Sequence, residues 1–200
     1  MSSTEAVTPT RREQLKAQRR EQLLDAGARL IADRGFLGMR LDDLGAAVGI
    51  SGPAVYRHFP NKEALLVELL VGISQRLLDG GRAVAEKAES PEAALHGLVD
   101  FHLDFALGEP ELIRIQDRDL ENLPESARRQ VRRTQRQYVE VWVAVLRDLH
   151  PELPEPAARV QAHATFGLIN STPHSAPATL ASRARPILRQ MALAALSGKP

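Results

Sequence analysis

Apolar residues recur along the chain at spacings of three and four, in stretches separated by Gly and Pro, and that pattern predicts helices. Thr10-Arg11-Arg12-Glu13 has the form of a capping box, in which hydroxyl and carboxylate satisfy each other's backbone N–H groups at a helix start. The long helix it opens carries Leu15, Leu23, Leu24, Ala28, Leu30 and Ile31 as its stripe, and Gly35 suits the left-handed residue that would end it. Gly27, in its middle, costs about 1 kcal/mol relative to Ala unless another helix approaches closely there.

Two very short apolar segments follow. Leu41, Leu44 and Val48 share one face of a two-turn helix, Gly49 to Gly52 make a turn, and Pro53 starts a further helix that ends at Phe59, before Pro60. Neither helix reaches the roughly 12 residues at which an isolated helix becomes marginal in water. Packing must hold them, with Phe36, Leu41, Leu44, Val48, Ile50, Val55 and Phe59 as a small core. Two short helices joined by a glycine-containing turn read as a helix-turn-helix.

Asn61 caps a long fourth helix with Leu65, Leu66, Leu69, Leu70, Ile73, Leu77 and Leu78 as its stripe, and Gly80-Gly81 is expected to kink or end it. Pro91 starts a helix with Leu95, Leu98, Val99, His102 and Phe105, and a short segment holds Leu112, Ile113 and Ile115. Pro124 begins a long helix to about His150, with Val131, Tyr138, Trp142, Val145 and Leu149 on one face. Two last helices are predicted at about 157–170 and 183–196, giving an all-α fold of about nine helices and no strand.

Composition agrees. Aromatics are 4% while Ala, Leu and Arg dominate, which favours helix over strand. The absence of cysteine removes disulfides, thiol nucleophiles and cysteine–zinc sites. No apolar run approaches the roughly 18 residues of a membrane span, and residues 1–10 lack the apolar core of a signal peptide, so a soluble cytoplasmic protein is expected. The net charge of +1 says little, but residues 1–62 hold ten Lys/Arg against seven Asp/Glu, and five of those basic residues fall between Arg11 and Arg20. A basic arm of this kind is either a solvated helix face or a phosphate-seeking feature.

The stretch from Leu44 to Glu63 is more specific. It reads Gly49-Ile50-Ser51-Gly52-Pro53-Ala54-Val55-Tyr56-Arg57-His58-Phe59-Pro60-Asn61-Lys62-Glu63 after the short amphipathic helix. With Leu23 to Ala26 and Asp33 to Phe36 it resembles the signature of the TetR/AcrR family of bacterial repressors, over roughly residues 20–66. The resemblance implies a three-helix DNA-binding head, a fourth helix linking it to a larger helical ligand domain, and a homodimer formed by the last two helices. The domains expected are a disordered tail at 1–10, a head at 11–60 and a ligand-binding and dimerisation body at 61–200. Met39 and Arg40 stand where family members usually carry a Thr that caps the second helix and touches phosphate; Arg40 can supply the phosphate contact but not the cap. Gly45 replaces a usual Ala and Ile31 a usual Phe.

In a helix-turn-helix the second helix enters the major groove. Ser51, Gly52, Pro53, Ala54 and Arg57 are the residues expected to face it. Gly52, Pro53 and Ala54 allow close approach and apolar contact with thymine methyls, and Arg57 is the bidentate donor that reads guanine, or else a phosphate contact. Tyr56, His58 and Lys62 match family positions that grip the backbone, Lys62 beside the free N–H groups of a helix start. Tyr56 has an alternative place in the core, and His58 and Arg40 at the bare surface.

The family's effector pocket lies among the later helices. Phe101, Phe105, Ile113, Tyr138, Trp142 and Phe166, interleaved with His102, Gln116, His163 and Asn170, would make a mostly apolar cavity with a few polar groups. Each has the alternative of plain core. No cofactor or metal is expected, only a small-molecule effector, apolar or resembling an acyl-coenzyme A. The arginines from Arg128 to Arg136 are either a solvated face balanced by Glu121, Glu125 and Glu140 or a site for an anionic effector group. An enzyme is disfavoured: there is no His-Glu-x-x-His, phosphate loop or dinucleotide glycine pattern, and Gly49 to Gly52 falls one residue short of a nucleophile elbow. The other rival is a helical interaction module whose head no longer binds DNA.

Overall fold

The computed structural model describes residues 10–172 and 181–197. The expected tail lies outside them except for Thr10. Among the described residues there are nine α-helices and no strand: α1 (Arg11–Gly38), α2 (Leu41–Val48), α3 (Gly52–Tyr56), α4 (Lys62–Lys87), α5 (Pro91–Gly108), α6 (Pro110–Asp119), α7 (Glu125–Leu149), α8 (Glu155–Ile169) and α9 (Ala181–Ser197). A single 3-10 turn, Leu120–Asn122, joins α6 to α7.

The capping box at Thr10 and Glu13 is present in both directions. Leu15, predicted on the stripe, is instead 58% exposed, because α1 meets its neighbours only from about Arg19 onward. Gly35 has φ +77° and ψ 156° and breaks the helix as expected, but a further turn runs on to Gly38. It delivers Phe36 and Met39 into the core of the head with Leu41, Leu44, Val55 and Phe59. Gly27 is the close approach that the sequence required: a Cβ there would lie 2.9 Å from Leu65 Cδ2 of α4. Gly49, at φ +69°, is the left-handed cap of α2. Gly45 is as tight, and against backbone, since a Cβ would sit 2.9 Å from the Ile50 carbonyl oxygen, so α2 and the turn are pressed together. The third helix is shorter than expected and ends at Tyr56 in a turn that leads to Phe59.

α4 runs unbroken through Gly80-Gly81, contrary to the sequence expectation. Those glycines are contact points. A Cβ on Gly80 would overlap the Phe101 ring, and one on Gly81 would lie 2.5 Å from Tyr138 Cε2, so the two small residues let α5 and α7 press onto α4. The body is then a bundle of α4, α5, α7, α8 and α9. Asp100 accepts from Arg189 Nε at 2.8 Å and Arg185 pairs with Asp104, which bind α9 to α5.

Candidate DNA-reading head and effector cavity

On the head, Ser51, Pro53, Tyr56 and Arg57 are exposed, and Gly52 and Ala54 are partly so. Tyr56 is 49% exposed, so the core alternative for it does not hold. Ser51 precedes α3 without spending its hydroxyl on a cap, and Arg40 stands before α2 in the same way, its guanidinium 3.8 Å from Asp42. His58 is half-buried, with Nδ1 enclosed and unpartnered. Burial pushes its pKa down, and the cations of Arg20, Lys16, Arg57 and Arg19 push it the same way. The imidazole is therefore neutral inside a cationic collar drawn from α1 and the end of α3.

Two basic residues serve the fold instead. Arg20, counted with the basic arm, turns inward: Nε donates to Glu68 Oε1 at 2.6 Å, a second nitrogen donates to the His58 carbonyl at 3.0 Å, and the guanidinium lies 4.6 Å over the Phe59 ring. Lys62 donates to the carbonyls of Phe36 and Leu37, each at 3.1 Å, and sits 4.8 Å over the Phe36 ring. Its ammonium satisfies carbonyls at the end of α1, so it reaches a phosphate only by leaving them. The sequence placed Lys62 at the start of α4 and Arg20 within α1 but said nothing of their direction.

A joint between head and body was not legible in the sequence. Asp119, at the end of α6, is buried; its carboxylate accepts from the Phe36 N–H at 3.3 Å and from Arg118 Nε at 3.0 Å. Arg118 donates in turn to the Ala32 carbonyl at 3.2 Å and to the Ile31 carbonyl. The two residues thus cap α1 where Gly35 stops its own ladder. Asp119→Ala leaves a buried N–H without its acceptor and is expected to cost about 1–3 kcal/mol. Urea unfolding together with hydrogen exchange at the Phe36 amide checks this; unchanged stability and unchanged exchange would show that the joint does not hold the helix end.

In the body, a cavity of about 210 Å³ lies between α4, α5, α6, α7 and α8. Eight of the ten predicted residues line it: His102, Phe105, Ile113, Gln116, Tyr138, His163, Phe166 and Asn170. Two do not. Phe101 is spent packing on Gly80, and Trp142 is fully buried behind the wall, edge-on to Phe166 with ring centroids 5.0 Å apart. Ser74, Leu77, Gln135 and Val139 also line the cavity. None of these four stands out in the sequence; Gln135, set among arginines on α7, gives no signal. His102 anchors the wall: Tyr138 O–H donates to Nδ1 at 3.3 Å, and Nε2–H donates to Asn170 Oδ1 at 3.0 Å. Burial pushes the imidazole pKa down to about 4 and raises that of the Tyr138 phenol, so both are neutral near pH 7. A wider cleft of about 820 Å³ between α1, α4 and α6 has a charged rim, on which Arg76 donates to Glu109 Oε2 at 2.6 Å.

The arginine cluster is largely paired. Arg128 bonds Glu121 and Glu125, Arg129 bonds Glu125 at 3.0 Å and Arg132 bonds Glu121 at 2.6 Å. Glu140 pairs with Arg159 of α8 rather than with the cluster. Among the described residues no group of acidic or histidine side chains could hold a metal ion, and no helix is long and apolar enough to cross a membrane.

Residues 23–69 match the bacterial regulatory proteins of the tetR family, and residues 88–174 match the tetracyclin repressor-like C-terminal domain. The chain is similar to the HTH-type transcriptional repressor KstR2 of Rhodococcus jostii, 27% identical over 132 residues, which is 66% of this chain and 65% of that one. It thus spans just under two thirds of that relative's length. Its fold is similar to that of the ketosteroid transcriptional regulator KstR2 of Mycobacterium tuberculosis, with a TM-score of 0.78 at 21% identity over 90% of this chain and 94% of that chain. It is also similar to AibR in complex with isovaleryl coenzyme A and operator DNA, with a TM-score of 0.70 at 18% identity over 86% and 97%. Helix-turn-helix motif, the nine helices of the described residues and both family matches agree: the chain belongs to the tetR family of bacterial regulatory proteins.

Proposed function

We propose that the protein is a repressor whose homodimer holds a two-fold symmetric operator and releases it when a small molecule fills the cavity. The observation that carries the reading is the exposure of Ser51, Pro53, Tyr56 and Arg57 on α3 and the turn after it, beside the cationic collar around His58. In this reading residues 11–60 form the head and 61–200 the body. Arg57 reads a base edge, and Tyr56, His58 and Arg40 hold phosphates.

The dimer is formed by α8 and α9, which leave Val160, Ile187 and Met191 more than half or half exposed, an apolar set that a second copy would cover. Two heads on one dimer read half-sites about one helical turn or more apart. A ligand acts by preferring one spacing of the heads, and shifts the dimer by no more than its difference in affinity for the two arrangements.

An electrophoretic shift with DNA upstream of the protein's own gene tests this. Arg57→Ala is expected to lose about 1–3 kcal/mol of operator affinity, roughly 5- to 150-fold, with the fold intact. Tyr56→Phe loses less. A footprint without dyad symmetry, or unchanged affinity in both variants at about 0.15 M salt, contradicts the assignment.

A second reading, an acyl-coenzyme A effector, is favoured by the likeness to AibR. It requires the arginine cluster to hold phosphates, and the pairing of Arg128, Arg129 and Arg132 with Glu121 and Glu125 supports the solvated face instead. Titration with isovaleryl coenzyme A that leaves melting temperature and DNA affinity unchanged removes this reading.

A further inference from the structure

The chemistry of the cavity narrows what it can hold. None of the described residues that line it is Lys, Arg, Asp or Glu, and besides the buried, neutral His102 the one lining group that can take a positive charge is His163. An ionised guest would lose its hydration there with no carboxylate, ammonium or guanidinium to replace it. The volume, about 210 Å³, is somewhat more than the roughly 150 Å³ of an apolar cavity that holds benzene. It has room for one ring with a short substituent.

The wall suits a flat guest: Tyr138 and Phe166 stack with centroids 5.6 Å apart and planes 22° apart, and His102 lies 4.9 Å from Phe166. Both nitrogens of His102 are already bonded within the wall. One polar atom is left over. Gln135 Nε2 is buried and meets no partner, and among the described residues lining the cavity it is the one side-chain donor or acceptor in that state. A buried amide hydrogen without an acceptor is a standing cost that a guest oxygen would remove.

Building on the reading of this cavity as the effector site, we propose that the effector is an uncharged single-ring compound with one carbonyl oxygen. The Gln135 side chain turns so that its amide N–H donates to the oxygen, and the ring lies among Tyr138, Phe166 and His102. Benzoate-like anions and ammonium analogues of the same size are excluded by the missing counter-charge.

The test titrates acetophenone, benzoate, ethylbenzene and isovaleryl coenzyme A into the full-length protein by calorimetry at pH 7.5, with an operator shift run in parallel. Acetophenone is expected to bind at least tenfold more tightly than benzoate. Gln135→Leu is expected to weaken acetophenone about tenfold and leave ethylbenzene unchanged, and Gln135→Met serves if the leucine variant does not fold. The proposal is overturned if benzoate or isovaleryl coenzyme A binds as tightly as acetophenone, if no probe binds, or if the Gln135 variant weakens acetophenone and ethylbenzene alike. The two readings separate cleanly. Selective acetophenone binding that leaves the operator complex intact upholds the cavity chemistry and overturns the effector role. Operator release by benzoate or the thioester, without acetophenone binding, overturns the chemistry and upholds the role.

Discussion

Trp142→Ala is expected to destabilise the protein by about 3–5 kcal/mol, the usual cost of emptying a large aromatic site in a core. The indole is fully buried on α7, edge-on to Phe166 at 5.0 Å, to His102 at 6.1 Å and to Tyr138 at 6.3 Å between ring centroids. Each of those three rings forms part of the cavity wall. Removing the indole takes away the surface on which they rest, so the wall loosens as the fold weakens. For a chain of this size the loss corresponds to a fall in melting temperature of roughly 6–20 °C. Trp142→Phe, which keeps a ring at the site, should recover much of it. A thermal melt that moves by less than 1–2 °C in the alanine variant would mean that α7 is not packed as described.

The second large effect depends on pH. His102 is 3% exposed, and burial depresses its pKa to about 4, while the unfolded chain titrates near 6.5. Below about pH 6.5 the unfolded chain therefore binds a proton that the folded protein refuses. The associated stability is fully present above the unfolded pKa and drains away as the pH falls toward 4, to a total of about 3 kcal/mol. Carboxylates titrate in the lower part of the same range, so the measurement is a difference. Between pH 7 and 4.5, urea midpoints of the wild type should fall toward those of His102→Gln, which keeps hydrogen-bonding capacity without a titrating proton. Parallel profiles would contradict the buried neutral imidazole.

Much of the molecule follows from local chemistry. The capping box at Thr10, the caps at Asn61 and Ser90 and the left-handed Gly49 are decided within a few residues, and such signals can be read in one dimension. So can the exposure of Arg57 just past a short helix that a turn holds against its neighbour. What escaped depends on which partner arrives. Gly80 and Gly81 look like a break in any sequence, and only the rings of Phe101 and Tyr138 lying against them turn the pair into a site of close packing. Phe101 and Trp142 have the same apolar character as Phe105 and Phe166, so nothing in their type distinguishes a residue behind the wall from one on it. Arg20, Lys62 and Gln135 were hidden by the opposite problem: a polar residue among polar residues is taken as solvated, although each points into the protein from a partly buried helix edge. Met39, in the place of a usual threonine, is 1% exposed and has joined the core of the head.

The joint made by Arg118 and Asp119 bears on how the molecule can be divided. A fragment containing only the first sixty residues would carry every side chain proposed here to meet a base or a phosphate. It would lack the carboxylate that receives the Phe36 amide and the guanidinium that covers the carbonyls of Ile31 and Ala32. Its first helix would fray where the second must be aimed. Genetic trimming of the body would thus blunt the proposed reading surface from a distance, with every residue assigned to it still in place.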